Sequence, residues 1–522
     1  MTRLIAACLA FASCAAPRAD PVLQGRVVDA DDGRPLPCRL YLQGPDQTYY
    51  FAQSASAGGS AVEYSKQVAS HPASIERHTT LSAHPFRAAL PPGTYTLTVE
   101  HGKEYHVETR KVEVGPEGAE VVLRLRRWID MAARGWYSGE THVHRMPDVL
   151  SNVMLAEDLN VALPLTSWVT ESHTSPAGSN KAGASVMNDA RVVEVDPTHV
   201  FYPRNTEYEI FRVGKKSHTL GAFFILNHRT LFEEGVPPVK PVAERARREG
   251  ALLELDKHNW PWSMMLAPVL HVDLYELANN HLWETEFAFG DFGEPPPDFM
   301  ADIDRGPRGL TELGWLQYTF QNYYALLDCG LRMRPTAGCA SGVHPVPLGF
   351  GRVYVHLDGP FGYDAWMKGL NEGRSFVTTG PMLFVSVQDG TLVTRIESAE
   401  PLGAWDLIVN GERRASYEPA NRRVGGVYVN LGSTPLDFRE SSWAAVRCFE
   451  DRKDGRPRWA HSAPVYVDVP GKPLRPRRAE AEFLLRRVEA QLARSREVLA
   501  PEALVEYKEA ADFYRGKLEE SR

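Results

Sequence analysis

Residues 135–145 read Gly-Trp-Tyr-Ser-Gly-Glu-Thr-His-Val-His-Arg, and the alternation at their end decides how the rest of the chain is read. His142 and His144 are two apart, which on a strand puts both side chains on one face. Two imidazoles so placed can reach one metal ion. Gly139 and Glu140, just ahead of the pair, fit a strand emerging at a barrel mouth. With 17 histidines in 522 residues, about half an H-x-H pair arises by chance, so the weight falls on the segments that follow.

Those segments repeat one pattern, an apolar run ending in a histidine or a carboxylate. Residues 205–212, NTEYEIFR, place Glu207 and Glu209 on one strand face. Residues 217–228, SHTLGAFFILNH, carry His218 before and His228 after an apolar strand. Residues 251–262, ALLELDKHNWPW, end a strand in Asp256-Lys257-His258, and residues 272–281, VDLYELANNH, end another with Glu276, Asn279 and His281. Residues 334–345, RPTAGCASGVHP, finish with Cys339 and His344 in a glycine-rich loop. Neutral imidazoles and hard oxygens gathered at one mouth suit one or two divalent transition-metal ions, zinc foremost, with manganese or iron also suited. Such a centre makes water a nucleophile near neutral pH. Strand-end candidates for metal ligation on this pattern include His142, His144, Glu207, His258, His218 and Glu276, with His218 or His228 also placed to shuttle a proton. Competing roles are a His258 stacked on Trp260 or Trp262, a Glu207 paired with Arg204 or Arg212, and capping by His218 or Glu276.

Working outward, residues 128–380 alternate strand-like runs with helix-compatible ones, the pattern of a β/α layer or barrel. Residues 21–127 read as short alternating strands, with a Ser/Ala/Gly-rich loop expected over 52–80 and surface positions expected for His71, His78, His84, His101 and His106. Residues 381–470 return to short strands and predict a second β-sandwich. Residues 471–522 predict a helical hairpin, with stripes at Leu484, Val488, Leu492 and Leu499, then Leu504, Tyr507, Ala511, Tyr514 and Leu518. Pro501 fits the first position of the second helix. The fold class expected is thus multidomain, a distorted β/α barrel flanked by two β-sandwiches with a helical tail.

The first twenty residues, MTRLIAACLAFASCAAPRAD, have a short positive start, an apolar core and small residues after it, as a signal peptide does. Cys14 is a candidate lipid attachment site. The expected location is therefore periplasmic, extracellular or lipid-anchored. Past this segment no apolar run is long enough to cross a bilayer. The net charge of −8 gives no electrostatic footprint for nucleic acid. Six cysteines in 522 residues, with no C-x-x-C pair, exclude a disulfide scaffold and a zinc ribbon.

Two stretches carry family resemblances. GRVVDADDGRPLPCRLYL (25–42) with LPPGTYTLTVEHGKEY (90–105) resembles the carboxypeptidase regulatory-like β-sandwich. From Gly135 to about Leu383 the order of motifs resembles the PHP (polymerase and histidinol phosphatase) metal-dependent hydrolases, in the branch with carbaryl hydrolase-like enzymes. His142 and His144 match the opening motif, Glu207 and His218 a Glu before a Gly-His strand, His258 a strand-end His, and Glu276 with Asn279 a Glu-x-x-Asn. GRVYVHLDGPFGYDAWMKGLNEGRSFVTTGPML (351–383) resembles the closing stretch. The resemblance implies a distorted seven-stranded barrel with up to three metals, and hydrolysis of a phosphoester, ester, carbamate or amide. Two departures stand against it. Trp168 occupies the place of an Asp-His pair, and the 338–344 loop lacks the family's Asp, so His344 either swings in to replace a lost ligand or, as favoured by its offset from the family position, faces solvent. These departures favour one or two ions over three. They also motivate a rival reading, a non-catalytic surface or glycan-binding protein on a degenerate barrel; a glycosidase with paired carboxylates is a third. The tryptophans at 136, 168, 260, 262 and 283 would either floor an aromatic- or sugar-binding cleft, fit for a small-molecule or glycan-type substrate, or pack in the barrel core.

Overall fold

The computed structural model describes residues 20–181, 187, 189–283, 285–290, 295–300 and 303–522. The expected export segment up to residue 19, with Cys14, lies outside them. The described chain is sheet-rich, with several sheets and seven α-helices among the described residues.

The N-terminal part is two sheets over one core. Strands Ala119–Leu125, Val22–Asp29, Phe86–Ala89 and Gln53–Ser54 form the first sheet. Strands Ala61–Val68, His71–Leu81, Cys38–Gln43, Gly93–Glu100 and Glu108–Val114 line up in the second, and Tyr49–Tyr50 joins it beside Cys38–Gln43. In Gly93–Glu100 the inward residues Tyr95, Leu97 and Val99 are buried and the threonines between them are not, the period of two that half-buried strands show. Leu23, Val27 and Phe86 from one sheet meet Leu40, Leu97 and Val99 from the other.

Two expectations are corrected here. Most of residues 52–80 are not a loop: Ala61–Val68 and His71–Leu81 pair antiparallel from Ala61↔Leu81 to Gln67↔Ile75. Of Ala61–Val68 only Tyr64 is buried, so the hairpin rests on backbone pairing and leaves no apolar alternation to read. His78 and His101 are buried, not surface residues. The His101 Nδ1 lies 3.1 Å from the Ala156 carbonyl at the end of helix Pro147–Ala156, and the His78 ring packs on Tyr41 and Tyr64.

The central part has a six-stranded sheet ordered Ser167–Glu171, Thr206–Val213, Lys216–Leu226, Leu252–Leu255, Leu274–Ala278, Arg334–Ala337. Leu252–Leu255, Leu274–Ala278 and Arg334–Ala337 run parallel, as do Ser167–Glu171 and Thr206–Val213. Leu253, Leu255, Phe223, Phe224 and Leu274 are fully buried, which is why these strands read as continuous apolar runs. Strand Trp136–Val143 belongs to a second sheet, parallel to Val161–Pro164 and antiparallel to Arg352–His356. It lies against the end of the first: Ala340 N–H donates to the His142 carbonyl at 2.8 Å, and Thr141 Oγ1 donates to the Ala337 carbonyl at 3.2 Å.

This second sheet continues past the boundary expected at residue 380. Ser375–Thr378 pairs with Trp459–Ser462, which leads into Ser442–Glu450, Leu402–Val409 and Glu412–Tyr417, giving eleven strands in all. The C-terminal strands therefore share a sheet with the central ones. A four-stranded sheet, Met382–Gln388, Thr391–Ser398, Val427–Pro435 and Arg422–Val424, covers that end, with Ile396, Leu402, Trp405 and Val446 between the two.

Helices Arg478–Ser495 and Pro501–Glu519 form the expected hairpin, with Leu484, Val488, Tyr507, Ala511 and Tyr514 buried. Tyr514 donates to the Met264 carbonyl at 2.9 Å on helix Ser263–Leu270. Glu506 accepts the Val239 and Lys240 N–H groups, each at 2.8 Å, at the positive end of helix Lys240–Glu249. Arg487 donates to the His258 and Trp260 carbonyls at 2.8 and 3.1 Å, so the tail pins the segment that follows strand Leu252–Leu255. None of the described helices is long and apolar enough to cross a membrane.

Candidate metal centre

His142 sits near the end of strand Trp136–Val143 and His144 just beyond it, and the two Nε2 atoms approach to 3.1 Å. Glu207, second residue of strand Thr206–Val213, brings Oε2 to 3.3 Å from His144 Nε2. On the other side of the His142 ring, Nδ1 lies 2.9 Å from Glu276 Oε2 and 3.7 Å from Asp256 Oδ1. Two groups of side chains able to hold a metal ion thus share His142: His142, His144 and Glu207 through one nitrogen, and His142, Asp256 and Glu276 around the other. Donor atoms within each group lie within 4.8 Å of one another.

The ring orientations are fixed locally. Glu276 also accepts the Asn280 N–H at 3.0 Å, which holds its carboxylate in place against His142. With the Nδ1 proton on Glu276, the His142 Nε2 lone pair faces His144 and Glu207, the arrangement that a carboxylate behind a metal-binding histidine produces. His144 stacks on Trp168, ring centroids 4.1 Å apart, and the Lys181 ammonium lies 4.0 Å from the Trp168 ring centroid. Trp168 also donates to Glu209 Oε2 at 3.2 Å. Trp168 is therefore the plate that orients His144.

Electrostatics agree with a cation at this place. Burial pushes the His142 imidazole well below its ordinary pKa and that of His144 down to about 3, so both stay neutral and keep a lone pair. Burial and the nearby Asp256 carboxylate push Glu207 up to about 8. Burial and Glu207 push Glu209 up to about 8. Glu276 and Asp256 are raised as well, burial being the main cause. Glu207 Oε2 and Asp256 Oδ1 are buried and accept no hydrogen bond. Buried carboxylate oxygens left so are costly unless a cation meets them. Two donors bound side by side at 2.0–2.1 Å from one zinc ion lie about 3–3.4 Å apart. The His142–His144 and His144–Glu207 distances, 3.1 and 3.3 Å, both fit.

Other sequence-predicted residues lie elsewhere. His218 Nε2 is 3.1 Å from Ser495 Oγ on the tail helix, outside both groups. His228 uses both ring nitrogens, on Thr206 Oγ1 at 2.9 Å and the Thr230 carbonyl at 2.8 Å, which leaves no lone pair for a metal. His258 is not brought into either group; its Nδ1 faces Thr319 Oγ1 at 3.1 Å and its ring meets Trp315 and Tyr318 edge-on. His344 does not turn to solvent. It is half-buried against Trp283 and near Phe289 and His281, because Tyr64 ties its loop down: Gly342 N–H donates to Tyr64 Oη at 2.9 Å and Tyr64 donates to the His344 carbonyl at 2.5 Å. Cys339 is structural, its thiol donating to Glu140 at 2.7 Å.

Sequence reasoning missed Asp256 and Lys257 as parts of the site. The signal was present in Leu-Glu-Leu-Asp, where Glu254 and Asp256 fall two apart and share a face.

No protein-family model matches the chain, and no curated protein matches it. Among solved structures it is similar to the crystal structure of a two-domain protein containing a predicted PHP-like metal-dependent phosphoesterase from Bacteroides vulgatus. The identity is 9%, the alignment covers 64% of this chain and 95% of that one, and the TM-score is 0.29. So loose a superposition leaves the site to be read from its own geometry.

Proposed function

We propose that the chain is a metal-dependent hydrolase that uses activated water on a phosphoester, ester, carbamate or amide of a small molecule or glycan. In this reading residues 128–380 form a distorted PHP-like barrel and residues 21–127 a carboxypeptidase regulatory-like module. Residues 381–470 form a β-sandwich, residues 471–522 its helical tail, and the first twenty residues direct export. The observation that carries the reading is the approach of His142, His144 and Glu207, whose donor atoms lie within 4.8 Å of one another, with His144 Nε2 3.1 Å from His142 Nε2 and 3.3 Å from a buried Glu207 oxygen that accepts no hydrogen bond.

A divalent ion held there supplies Lewis acidity and makes water nucleophilic near neutral pH. The protein's own part is positioning. Glu276 fixes the His142 tautomer, Trp168 holds the His144 ring, and the buried strand ends keep bulk water from the donors. His281, Trp283, Phe289 and His344 pack as an aromatic cluster with His281 stacked on Phe289 at 3.8 Å. The test is metal analysis of purified protein followed by a screen of phosphoester and ester substrates with chelator controls. Bound transition metal and chelator-sensitive hydrolysis are expected. A metal-free protein that cannot be loaded would overturn the reading in favour of the non-catalytic alternative.

A further inference from the structure

Lys257 is the one residue of the site that the ligand pattern does not call for. It follows Asp256 at the end of strand Leu252–Leu255, is 2% exposed, and its ammonium donates to Asp256 Oδ2. A lysine is almost never so buried unless an anion meets it. Here the ammonium also acts on Glu209, Glu276 and Glu207, and it lies 4.9 Å from the Trp260 ring centroid. Asp256 and Glu276 are two of the three members of the second metal-capable group. The lysine therefore brings its charge to the carboxylates that a second ion would have to use.

The ammonium acts on both groups, and they differ in that it bonds directly to a carboxylate of the second. Around His142 Nε2, the donors are two neutral imidazoles and a carboxylate oxygen with no hydrogen bond. Around His142 Nδ1, Asp256 Oδ1 is likewise without a hydrogen bond, but the other Asp256 oxygen is occupied by Lys257, and Glu276 is engaged by His142 itself and by the Asn280 N–H. Adding a dication beside a buried ammonium costs repulsion in a medium that screens poorly. We propose that Lys257 takes the place of a second cation, so that the site binds one divalent ion, through His142, His144 and Glu207, and not two. This rests on the metal-dependent reading above and narrows it to a mononuclear centre.

The experiment is a Zn²⁺ titration of chelator-stripped, full-length protein, with bound metal counted after gel filtration. Wild type is expected to hold about one ion per chain, and Lys257→Met, which keeps the stem and removes the charge, about two. The double variant Lys257→Met with Asp256→Asn is expected to return to about one, because the second group has then lost its free carboxylate. Two ions on wild type, or one on a folded Lys257→Met protein, would overturn the proposal. If Lys257→Met does not fold, anomalous scattering from zinc-loaded wild-type crystals decides. A single peak among His142, His144 and Glu207 supports the inference, and a second peak between Asp256 and Glu276 overturns it. No binding to wild type is a different outcome, since it removes the hydrolase reading itself.

Discussion

Two buried histidine–glutamate pairs in this chain look alike and differ in what surrounds them. In the N-terminal sheets, His78 Nδ1 lies 2.6 Å from Glu76 Oε1, and the same oxygen accepts the Tyr41 hydroxyl at 2.6 Å. In the central part, His144 Nε2 lies 3.3 Å from Glu207 Oε2, which accepts no hydrogen bond and faces a second imidazole. In the first pair the glutamate oxygen is met by two partners, a ring nitrogen and a hydroxyl. The second has two imidazole nitrogens and a carboxylate oxygen converging on a place that could hold a cation. A buried His–Glu contact is thus no sign of a metal site by itself; the sign is an unpartnered oxygen with two lone pairs aimed at it.

The sharpest way to break this contrast is to remove the imidazoles from each. His142→Ala with His144→Ala should abolish nearly all bound metal, read by elemental analysis of folded protein. His78→Ala should lower stability and leave metal content unchanged. Equal retention of metal by both variants would erase the distinction. Next in size, Glu276→Gln should weaken metal affinity by about 10–100-fold, the usual effect of changing a residue behind a ligating histidine. Chelator competition measures it. An unchanged affinity would mean that Glu276 does not set the His142 tautomer.

The strand-borne parts of this site were legible because a strand's period is two: His142 with His144, and Glu207 with Glu209, follow from spacing alone. The parts that depend on the third dimension were not. Asp256 looks like any carboxylate ending a strand, and its meaning comes from the neighbouring sheet that brings His142 to it. His218 follows the Gly214-Lys215 turn after strand Thr206–Val213, and whether it faces the mouth or the tail is decided by Ser495, 277 residues away. The shared eleven-stranded sheet was equally hidden, since the pairing of Thr378 with Ala460 leaves no local pattern. Strand existence read better than strand pairing for the same reason. Apolar alternation reports that a strand exists, while its partner is a long-range choice.

Tyr64 joins the two regions just compared, with its ring 5.2 Å from His78 and its hydroxyl on the 342–344 loop. Arg145 lies over the same ring at 3.6 Å and donates to Ser341. Tyr64→Phe keeps the stacking and removes only the hydroxyl, leaving the Gly342 N–H and the His344 carbonyl without it. The expected cost is about 1–3 kcal/mol in denaturant unfolding. Metal content should hold, because neither backbone group belongs to the donor set. Loss of metal in this variant would show that the N-terminal sheets help build the centre.

The smallest effect concerns a third buried carboxylate group, where neither a histidine nor a convergent donor set is present. Asp328, on helix Glu312–Asp328, accepts the Trp443 indole N–H at 2.6 Å and faces Glu480 of the tail, whose carboxylate pairs with Arg477. Burial, and then Glu480, raise Asp328 well above the ordinary carboxylate range; burial also raises Glu480, with Arg477 opposing it. A carboxyl raised on folding binds more protons folded than unfolded, so its contribution favours the folded state below the unfolded-chain value of about 4 and is lost as pH climbs from there through the folded value. Asp328→Asn keeps an acceptor for Trp443 and removes the titration. Its melting temperature should therefore fall less than that of wild type between about pH 4 and pH 8, with the difference largest at the alkaline end. Thermal melts across that range measure it, and parallel curves for the two proteins would mean that Arg477 already neutralises the pair.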